Sequence, residues 1–103
     1  MTKPKFAPQI SIPATYMRGG TSKGTFFKLS DLPERCQVAG SPRDNFLLRV
    51  IGSPDPYGKQ IDGLGNGSSS TSKTVILSKA SRADHDVNYL FGQVNIAKPM
   101  IDW

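Results

Sequence analysis

The stretch that decides the fold runs from Gly52 to Lys73 and reads GSPDPYGKQIDGLGNGSSSTSK. It holds five of the ten glycines of the chain, and five consecutive hydroxyl residues at positions 68–72 precede the final lysine. An irregular segment of this length in a compact domain is usually either functional or disordered. Because a run rich in β-branched residues follows at 74–77, we interpret the stretch as an ordered loop whose backbone N–H groups and hydroxyls face an anionic ligand; a flexible linker is the alternative. Three apolar side chains are expected to anchor the loop to the core: Tyr57, Ile61 and Leu64.

The composition restricts the class of protein. With 103 residues the chain is at most one domain. Its hydrophobic share is 37%, below the usual value of about 45–50%, so the core is modest. No apolar run approaches the roughly 18 residues that span a membrane, and no apolar segment follows the basic N-terminus, so we expect no secretory signal. One cysteine excludes an internal disulfide and fits a reducing cytoplasm.

The net charge of +5 admits nucleic acid, acidic lipid or small polyanions as partners. The basic residues are scattered along the chain rather than clustered, which is a weak footprint for nucleic acid. We therefore expect a small anionic ligand, with neither nucleic acid nor a membrane as partner. A homo-oligomer is left open.

Hydrophobic periodicity and turn residues predict a mixture of strands and one helix. A loose tail is expected at residues 1–8, and Pro13 predicts that the first strand lies at an edge or contains a bulge. Gly92 predicts a bulge in the last strand. The predicted elements are an edge strand over 9–17, a glycine-rich loop over 18–24, a strand over 25–29, a helical turn at 30–34 capped by Ser30 or Asp31, a helix over 42–51, a strand over 73–79 and a return strand from Val87 towards Ile96.

The helix carries the clearest local signals. Ser41 is a candidate N-cap and Pro42 suits the first helical position. Gly52 supplies a stop at the C-terminus. Four apolar residues fall on one face at helical spacing and are expected in the core: Phe46, Leu47, Val50 and Ile51.

Three features invite a functional interpretation that their context disfavours. Cys36 has no nearby histidine and is expected to be inert. His85 lies in a polar turn without a second ligand cluster, so no metal site is predicted. Residues 67–74 nearly match a phosphate loop, but such a loop needs a buried strand before it and a helix after it. Here a strand follows, so nucleotide binding is disfavoured.

Two loops of glycine and hydroxyl residues, at 18–24 and 67–73, each carry a lysine and suit a small carboxylate ligand. Small residues let the backbone approach carboxylate oxygens, and concave arrangements of N–H groups bind anions. Arg18 can clamp a carboxylate with two hydrogen bonds. Desolvation of Lys73 would favour its neutral form, which can accept a proton. For Lys23, a solvated surface charge and a functional role are equally open.

Four segments closely resemble the 2-methylaconitate cis–trans isomerase (PrpF) family: Tyr16–Gly24, Ile51–Tyr57, Gln60–Gly63 and Ser70–Lys73. The resemblance implies the diaminopimelate-epimerase-like α+β fold, in which strands curl around a central helix in each of two lobes. It implies a cofactor-independent, metal-free isomerase of unsaturated tricarboxylates such as 2-methylaconitate or aconitate. The family works beside an aconitase-like dehydratase in the 2-methylcitrate route of propionate breakdown. Oxalomesaconate tautomerases and methylitaconate isomerases share the motifs and are the nearest alternatives.

The resemblance also assigns roles to residues. Lys73 matches the catalytic lysine of the family. The residues that match the substrate-binding loops are Arg18, Gly19, Gly20, Thr21, Ser22, Ser69, Ser70, Thr71 and Ser72.

The chain departs from the family pattern at two places. Gly65-Asn66 stands where the family usually has Gly-Gly. The catalytic cysteine of the family is expected just beyond Trp103, and Cys36 cannot replace it. We therefore expect residues 9–103 to be the N-terminal part of an epimerase-like domain, truncated within its first lobe. A phosphate- or RNA-binding module and a non-catalytic fragment are the alternatives from other classes.

Overall fold

The computed structural model describes residues 10–103, so the predicted tail and the first residue of the predicted edge strand, Gln9, lie outside the described residues. Within this range one α-helix, α1 (Ser41–Ile51), and two short 3-10 helices, Leu29–Asp31 and Glu34–Cys36, accompany a five-stranded sheet. The strands are β1 (Thr15–Gly19), β2 (Ser22–Lys28), β3 (Lys73–Lys79), β4 (Val87–Val94) and β5 (Ile101–Asp102). The α+β class is confirmed.

The order of strands across the sheet follows the order along the chain. β1 and β2 form an antiparallel hairpin, β2 and β3 run parallel, and β4 is antiparallel to both β3 and β5. A parallel pair needs a long crossover, and here the crossover consists of the 3-10 helices, α1 and the loop 52–72. That crossover brings Lys73, the first residue of β3, opposite Gly24 of β2. The loop thereby delivers Lys73 beside the hairpin.

The helix α1 covers one face of the sheet and forms the apolar core there. Leu47 and Ile51 of the helix have no exposed surface, and Leu48, which the predicted stripe missed, is 5% exposed. Each such side chain contributes about 1.5–3 kcal/mol through burial. Two clusters of buried apolar residues form the core: Phe27, Leu32, Cys36, Leu47 and Ile76 in one, and Leu48, Ile51 and Val94 in the other.

The predicted helix is confirmed, but its N-cap is not Ser41. Gly40 occupies the cap position with φ of 145°, and its carbonyl accepts the first helical hydrogen bond, from the Asp44 N–H at 3.1 Å. Ser41 already lies inside the helix, because proline at the next position is tolerated in a first turn. At the other end Gly52 stops the helix in the left-handed conformation, with its N–H bonded to the Leu48 carbonyl at 2.9 Å.

Both strands of the first hairpin begin at residues other than those predicted. β1 lies at the sheet edge as expected but begins at Thr15, since Pro13 cannot donate to a strand ladder. β2 begins at Ser22, so the loop predicted over 18–24 shrinks to a turn at Gly20 and Thr21. Gly20 takes φ of 63° there, which glycine adopts at little cost.

The structure also corrects the bulge and the capped turn. Gly92 pairs regularly with Thr74, and β4 ends at Val94. A Cβ at Gly92 would lie 2.9 Å from Cγ2 of Ile101 and 3.0 Å from the ring of Trp103. The absence of a side chain at Gly92 therefore lets Ile101 and Trp103 pack closely against β4. The helical turn at 30–34 is divided between the two 3-10 helices, whose cap positions are Lys28 and Pro33 rather than Ser30 or Asp31.

The predicted apolar anchors of the long loop are wrong. Tyr57, Ile61 and Leu64 are 84%, 79% and 48% exposed. Polar side chains occupy the interior of the loop instead. No helix within residues 10–103 is long and apolar enough to cross a membrane.

Candidate active site

The hairpin β1–β2 and the serine-rich end of the long loop meet at the start of β3. The Lys23 N–H donates to the Ser70 carbonyl at 2.8 Å, which ties the second strand of the hairpin to the loop. The two segments that sequence analysis singled out, 18–24 and 67–73, therefore form one site. The parallel register of β2 and β3 explains their proximity.

Lys73 is held by three acceptors at the centre of this site. Its Nζ donates to the Ser22 hydroxyl at 3.2 Å and to the carbonyls of Ser69 and Ser70, both at 3.1 Å. An ammonium group has three donors and no acceptor, so these contacts match its protonated form. The side chain is half-buried rather than extended into solvent.

A groove of about 490 Å³ runs from Lys73 across the sheet face opposite α1. At its Lys73 end, which we call the polar end, the lining residues are Arg18, Ser22, Lys23 and Lys73. The rest is lined by apolar side chains: Met17, Phe26, Val75, Leu77, Val87, Tyr89 and Phe91. A cationic end beside an apolar floor fits an anion with a hydrocarbon body.

Arg18 and the turn after it form the outer wall of the polar end. Arg18 is exposed, and its Nε donates to the Gly20 carbonyl at 2.6 Å, which fixes the guanidinium over the turn. Gly19, Gly20 and Thr21 are likewise exposed; Gly20 and Thr21 form the turn, whereas Gly19 is paired with Ser22 in the hairpin.

The hydroxyl run divides into inward and outward members. Ser72 is fully buried, and its Oγ lies 2.8 Å from Oε1 of Gln60 and 2.6 Å from the Ser68 carbonyl, so its one hydrogen is shared between two acceptors. Thr71 is also buried and donates to the Gly65 carbonyl. The hydroxyls of Thr71 and Ser72 therefore hold the loop together. Ser69 is exposed and Ser70 half-buried, so their hydroxyls remain accessible to a ligand.

Gln60 organises the interior of the loop, and sequence analysis missed it. It is 1% exposed; its Nε2 donates to Ser53 Oγ at 2.9 Å, and its Oε1 accepts from the Gly67 N–H at 2.9 Å as well as from Ser72. One amide thus connects the start, the middle and the end of the loop. A glutamine between lysine and isoleucine carries no local signal for such a role.

Asp55 fixes the turn before Gln60. Its carboxylate accepts from the N–H groups of Tyr57 at 2.9 Å, Lys59 at 3.1 Å and Gln60 at 2.8 Å. These backbone donors, that of Tyr57 foremost, lower the pKa of Asp55 below its ordinary value. The backbone of the loop is therefore set by polar contacts from its first turn onward.

The Gly65-Asn66 pair is compatible with this interior. A Cβ at Gly65 would lie 2.2 Å from Oε1 of Gln60, so only glycine fits. Asn66 takes φ of 60°, a left-handed conformation that asparagine tolerates better than most residues. Asparagine at position 66 therefore fits the left-handed conformation of the loop.

Neither Cys36 nor His85 is among the residues that line the groove, and residues 67–74 do not form a phosphate loop. Cys36 is fully buried in the core. The ring nitrogens of His85 contact Asp84 Oδ1 at 3.0 Å and Asn88 Oδ1 at 2.7 Å. Among residues 10–103 no group of three or more His, Cys, Asp or Glu side chains could hold a metal ion. Residues 67–74 lead into β3 rather than a helix, which contradicts a phosphate loop.

Comparison with known proteins identifies the class. The family model for the PrpF protein matches residues 9–103, and the chain belongs to this family. It is 73% identical over 96 residues to the 2-methyl-aconitate isomerase of Cupriavidus necator, covering 93% of this chain and 24% of that protein. It is 69% identical over 103 residues to the 2-methyl-aconitate isomerase of Shewanella oneidensis, covering 100% of this chain and 26% of that protein.

A solved structure supports the fold. The crystal structure of a methylitaconate-delta-isomerase matches with a TM-score of 0.76 at 44% identity, over 88% of this chain and 22% of that one. The predicted epimerase-like α+β fold is confirmed. The chain spans about a quarter of the length of these relatives, at 26% or less.

Proposed function

We propose that this chain carries part of the active site of an isomerase of unsaturated tricarboxylates, with 2-methylaconitate as substrate and Lys73 as the proton carrier. The observation that carries the proposal is the position of Lys73, whose Nζ links the Ser22 hydroxyl to the carbonyls of Ser69 and Ser70. The names of the two highly identical relatives support the choice of substrate.

The reaction needs a proton removed from a carbon next to an activated alkene and returned after the double bond has moved or rotated. The barrier falls when the resulting carbanion is delocalised into a carboxylate held by donors aimed at its oxygens. Arg18 and the backbone N–H groups of Gly20, Thr21, Ser69 and Ser70 are assigned this role. Gly19 is paired with Ser22 in the hairpin, and the Thr71 N–H donates to the Ser68 carbonyl at 3.2 Å in the turn that also contains Ser72.

Ser22 is suited to follow a change in the protonation of Lys73. A hydroxyl can donate as well as accept, whereas a carbonyl can only accept. A neutral Lys73 amine keeps two N–H groups for the carbonyls of Ser69 and Ser70, and its lone pair takes the proton from the substrate carbon when the Ser22 hydroxyl turns away from it. The electron pair left on carbon is delocalised into the adjacent carboxylate. The ammonium of Lys73 then returns the proton after the double bond has moved or rotated, and between the two transfers the Ser22 hydroxyl accepts a hydrogen bond from it.

The charge of the groove suits a tricarboxylate. Arg18, Lys23 and Lys73 are among the residues that line its polar end, so their positive charges favour a ligand with several carboxylates, while the apolar lining accommodates the methyl-substituted carbon skeleton. Lys23 would add a third positive charge, and the surface-charge alternative stays open for it. Methylitaconate isomerisation and oxalomesaconate tautomerisation use similar ligands and are the alternative reactions.

The cellular setting follows from the same proposal. An aconitase-like dehydratase would be the pathway partner in the 2-methylcitrate route of propionate breakdown, in the cytoplasm. The reaction needs no organic cofactor or metal. Neither nucleic acid nor a membrane is expected as a partner, and a homo-oligomer stays open.

The experiment uses a chimera in which residues 1–103 replace the matching segment of the Shewanella oneidensis isomerase, to which they align along their whole length. Conversion of 2-methylaconitate is measured for the chimera and for its Lys73→Ala variant. General acid–base catalysis contributes about 10²–10⁴-fold, and we expect a loss of that size with binding of a tricarboxylate inhibitor retained. Lys79→Ala, at the other end of β3, is the matched control.

Two outcomes would count against the proposal. Near-normal turnover of Lys73→Ala would show that Lys73 is not the proton carrier. Binding of RNA with a steep salt dependence, together with no competition by citrate-like tricarboxylates, would favour a nucleic-acid-binding module instead.

A further inference from the structure

Gln93 lies beside Lys73 on the sheet and contacts the serine-rich turn. It is the cross-strand partner of Lys73 in the β3–β4 register. Its Nε2 donates to the Ser69 carbonyl at 3.0 Å and to the Ser72 carbonyl at 3.1 Å. The side chain thus spans the turn that supplies two of the three hydrogen-bond partners of Lys73.

The two side chains share an acceptor. The Ser69 carbonyl accepts from Nε2 of Gln93 and also from Nζ of Lys73, at 3.0 and 3.1 Å. A carbonyl oxygen has two lone pairs and can accept both hydrogen bonds. The position of this oxygen, and hence of the amine, therefore depends on Gln93.

At the other end of the turn, the Ser72 carbonyl also accepts hydrogen bonds from β4. The Ser72 carbonyl accepts from Gln93 and from the backbone N–H of Val94 at 2.9 Å. β4 therefore fixes both ends of the segment 69–72, once through the backbone and twice through one amide group. The Ser70 carbonyl, another acceptor for Lys73, lies between these two fixed points.

We propose that Gln93 is a positioning residue that fixes the turn 69–72 so that the amine of Lys73 stays at the polar end of the groove. This inference rests on the proposed function of Lys73 as the proton carrier. An amide nitrogen has two hydrogens, and both are used by the Ser69 and Ser72 carbonyls. Gln93 therefore acts through the turn rather than as a donor to the substrate.

The test uses the chimera with two variants of Gln93 that keep its length. Gln93→Met removes the donors, and Gln93→Glu places a carboxylate against two carbonyl oxygens. Misplacing a catalytic group by about 1 Å can cost up to about 10²-fold in rate, and we expect kcat to fall about 10-fold while KM changes less than about twofold. Gln37→Met is the matched control, because the Gln37 amide also donates to a backbone carbonyl, that of Leu32 at 2.9 Å.

A second measurement reports how accessible the Lys73 amine is to a reagent, and it does not depend on turnover. Trace acetylation followed by peptide mass spectrometry compares the labelling rate of Lys73 with that of Lys79 in the same protein. Loss of the Gln93 donors frees the turn and exposes the amine, so labelling of Lys73 should rise severalfold relative to Lys79. The Gln37→Met control should leave the ratio unchanged.

The outcomes separate this inference from the proposed function. Unchanged kcat and unchanged labelling in folded Gln93→Met or Gln93→Glu protein would overturn the role of Gln93 while leaving Lys73→Ala inactive. A rise in KM that accounts for the whole loss would also overturn it, because Gln93 would then bind substrate directly. If Lys73→Ala itself kept turnover, Lys73 would not be the proton carrier and the proposed function would be contradicted. The inference about Gln93, which depends on that function, would then be overturned with it.

Discussion

The apolar core beneath α1 and the interior of the loop 52–72 are stabilised by different kinds of interaction. Beneath α1, residues such as Leu47 and Ile76 form an apolar core in which burial stabilises contacts without regard to direction. Inside the loop 52–72, buried polar residues such as Gln60 and Ser72 are held by hydrogen bonds of defined geometry. An apolar core tolerates replacements of similar volume. A polar interior does not, because each lost partner leaves a buried donor or acceptor unsatisfied.

The largest expected effect therefore comes from a change of similar volume in the loop. Gln60→Leu in the chimera leaves Ser53 Oγ and the Gly67 N–H without their partner, whereas Ser72 Oγ keeps the Ser68 carbonyl; each unsatisfied buried group costs about 1–3 kcal/mol. We expect the free energy of unfolding to fall by about 2 kcal/mol or more. In the apolar core, Leu47→Met should cost less than about 1.5 kcal/mol. Urea unfolding of both variants makes the comparison, and equal losses would contradict it.

This difference also explains which parts of the structure could be predicted. The helix α1 and strand β3 follow from periodicity and stop signals that lie in the elements themselves. The role of Gln60 depends on Ser53 and Ser72, which lie 7 and 12 residues away. A local pattern contains no information about such pairs. For the same reason the apolar residues Tyr57, Ile61 and Leu64 suggested anchors, although they are exposed.

The candidate site could be located from its residue types, but the direction of each side chain could not. The register of β2 and β3 decides that Lys73 meets Ser22, and that register depends on the whole crossover. Likewise, the five hydroxyls at 68–72 look equivalent in the sequence. Only the polar interior separates the inward Thr71 and Ser72 from the outward Ser69.

A smaller effect is expected from crowding the polar interior. Gly65→Ala would place a methyl group 2.2 Å from Oε1 of Gln60 and 2.7 Å from Cγ2 of Ile51. Overpacking of this kind typically costs about 1–3 kcal/mol. Gly19→Ala is the control, since nothing lies within 4 Å of a Cβ there; it should change the free energy of unfolding by less than about 0.5 kcal/mol. Similar melting temperatures for the two variants would contradict the prediction, because they would show that the loop accommodates the added methyl group.

The smallest effect concerns the pH dependence of the loop. Backbone N–H donors lower the pKa of Asp55 from its ordinary value of 3.8. Its contribution to stability is therefore fully present above the unfolded-state pKa and is lost as the pH falls below that value through the lowered one. Asp55→Asn should weaken the acid dependence of unfolding in that window. If the variant and the parent lost stability in parallel on acidification, the carboxylate would have no such role.

The most direct test of Lys73 as proton carrier is the turnover of 2-methylaconitate by the Lys73→Arg chimera. A guanidinium keeps the positive charge but stays protonated at neutral pH, so it can hold a carboxylate and cannot shuttle a proton. We predict that kcat falls by about 10²-fold or more, while a citrate-like tricarboxylate still binds. Near-normal turnover of Lys73→Arg would contradict the central claim, because Lys73 would then be an electrostatic anchor and another group would move the proton.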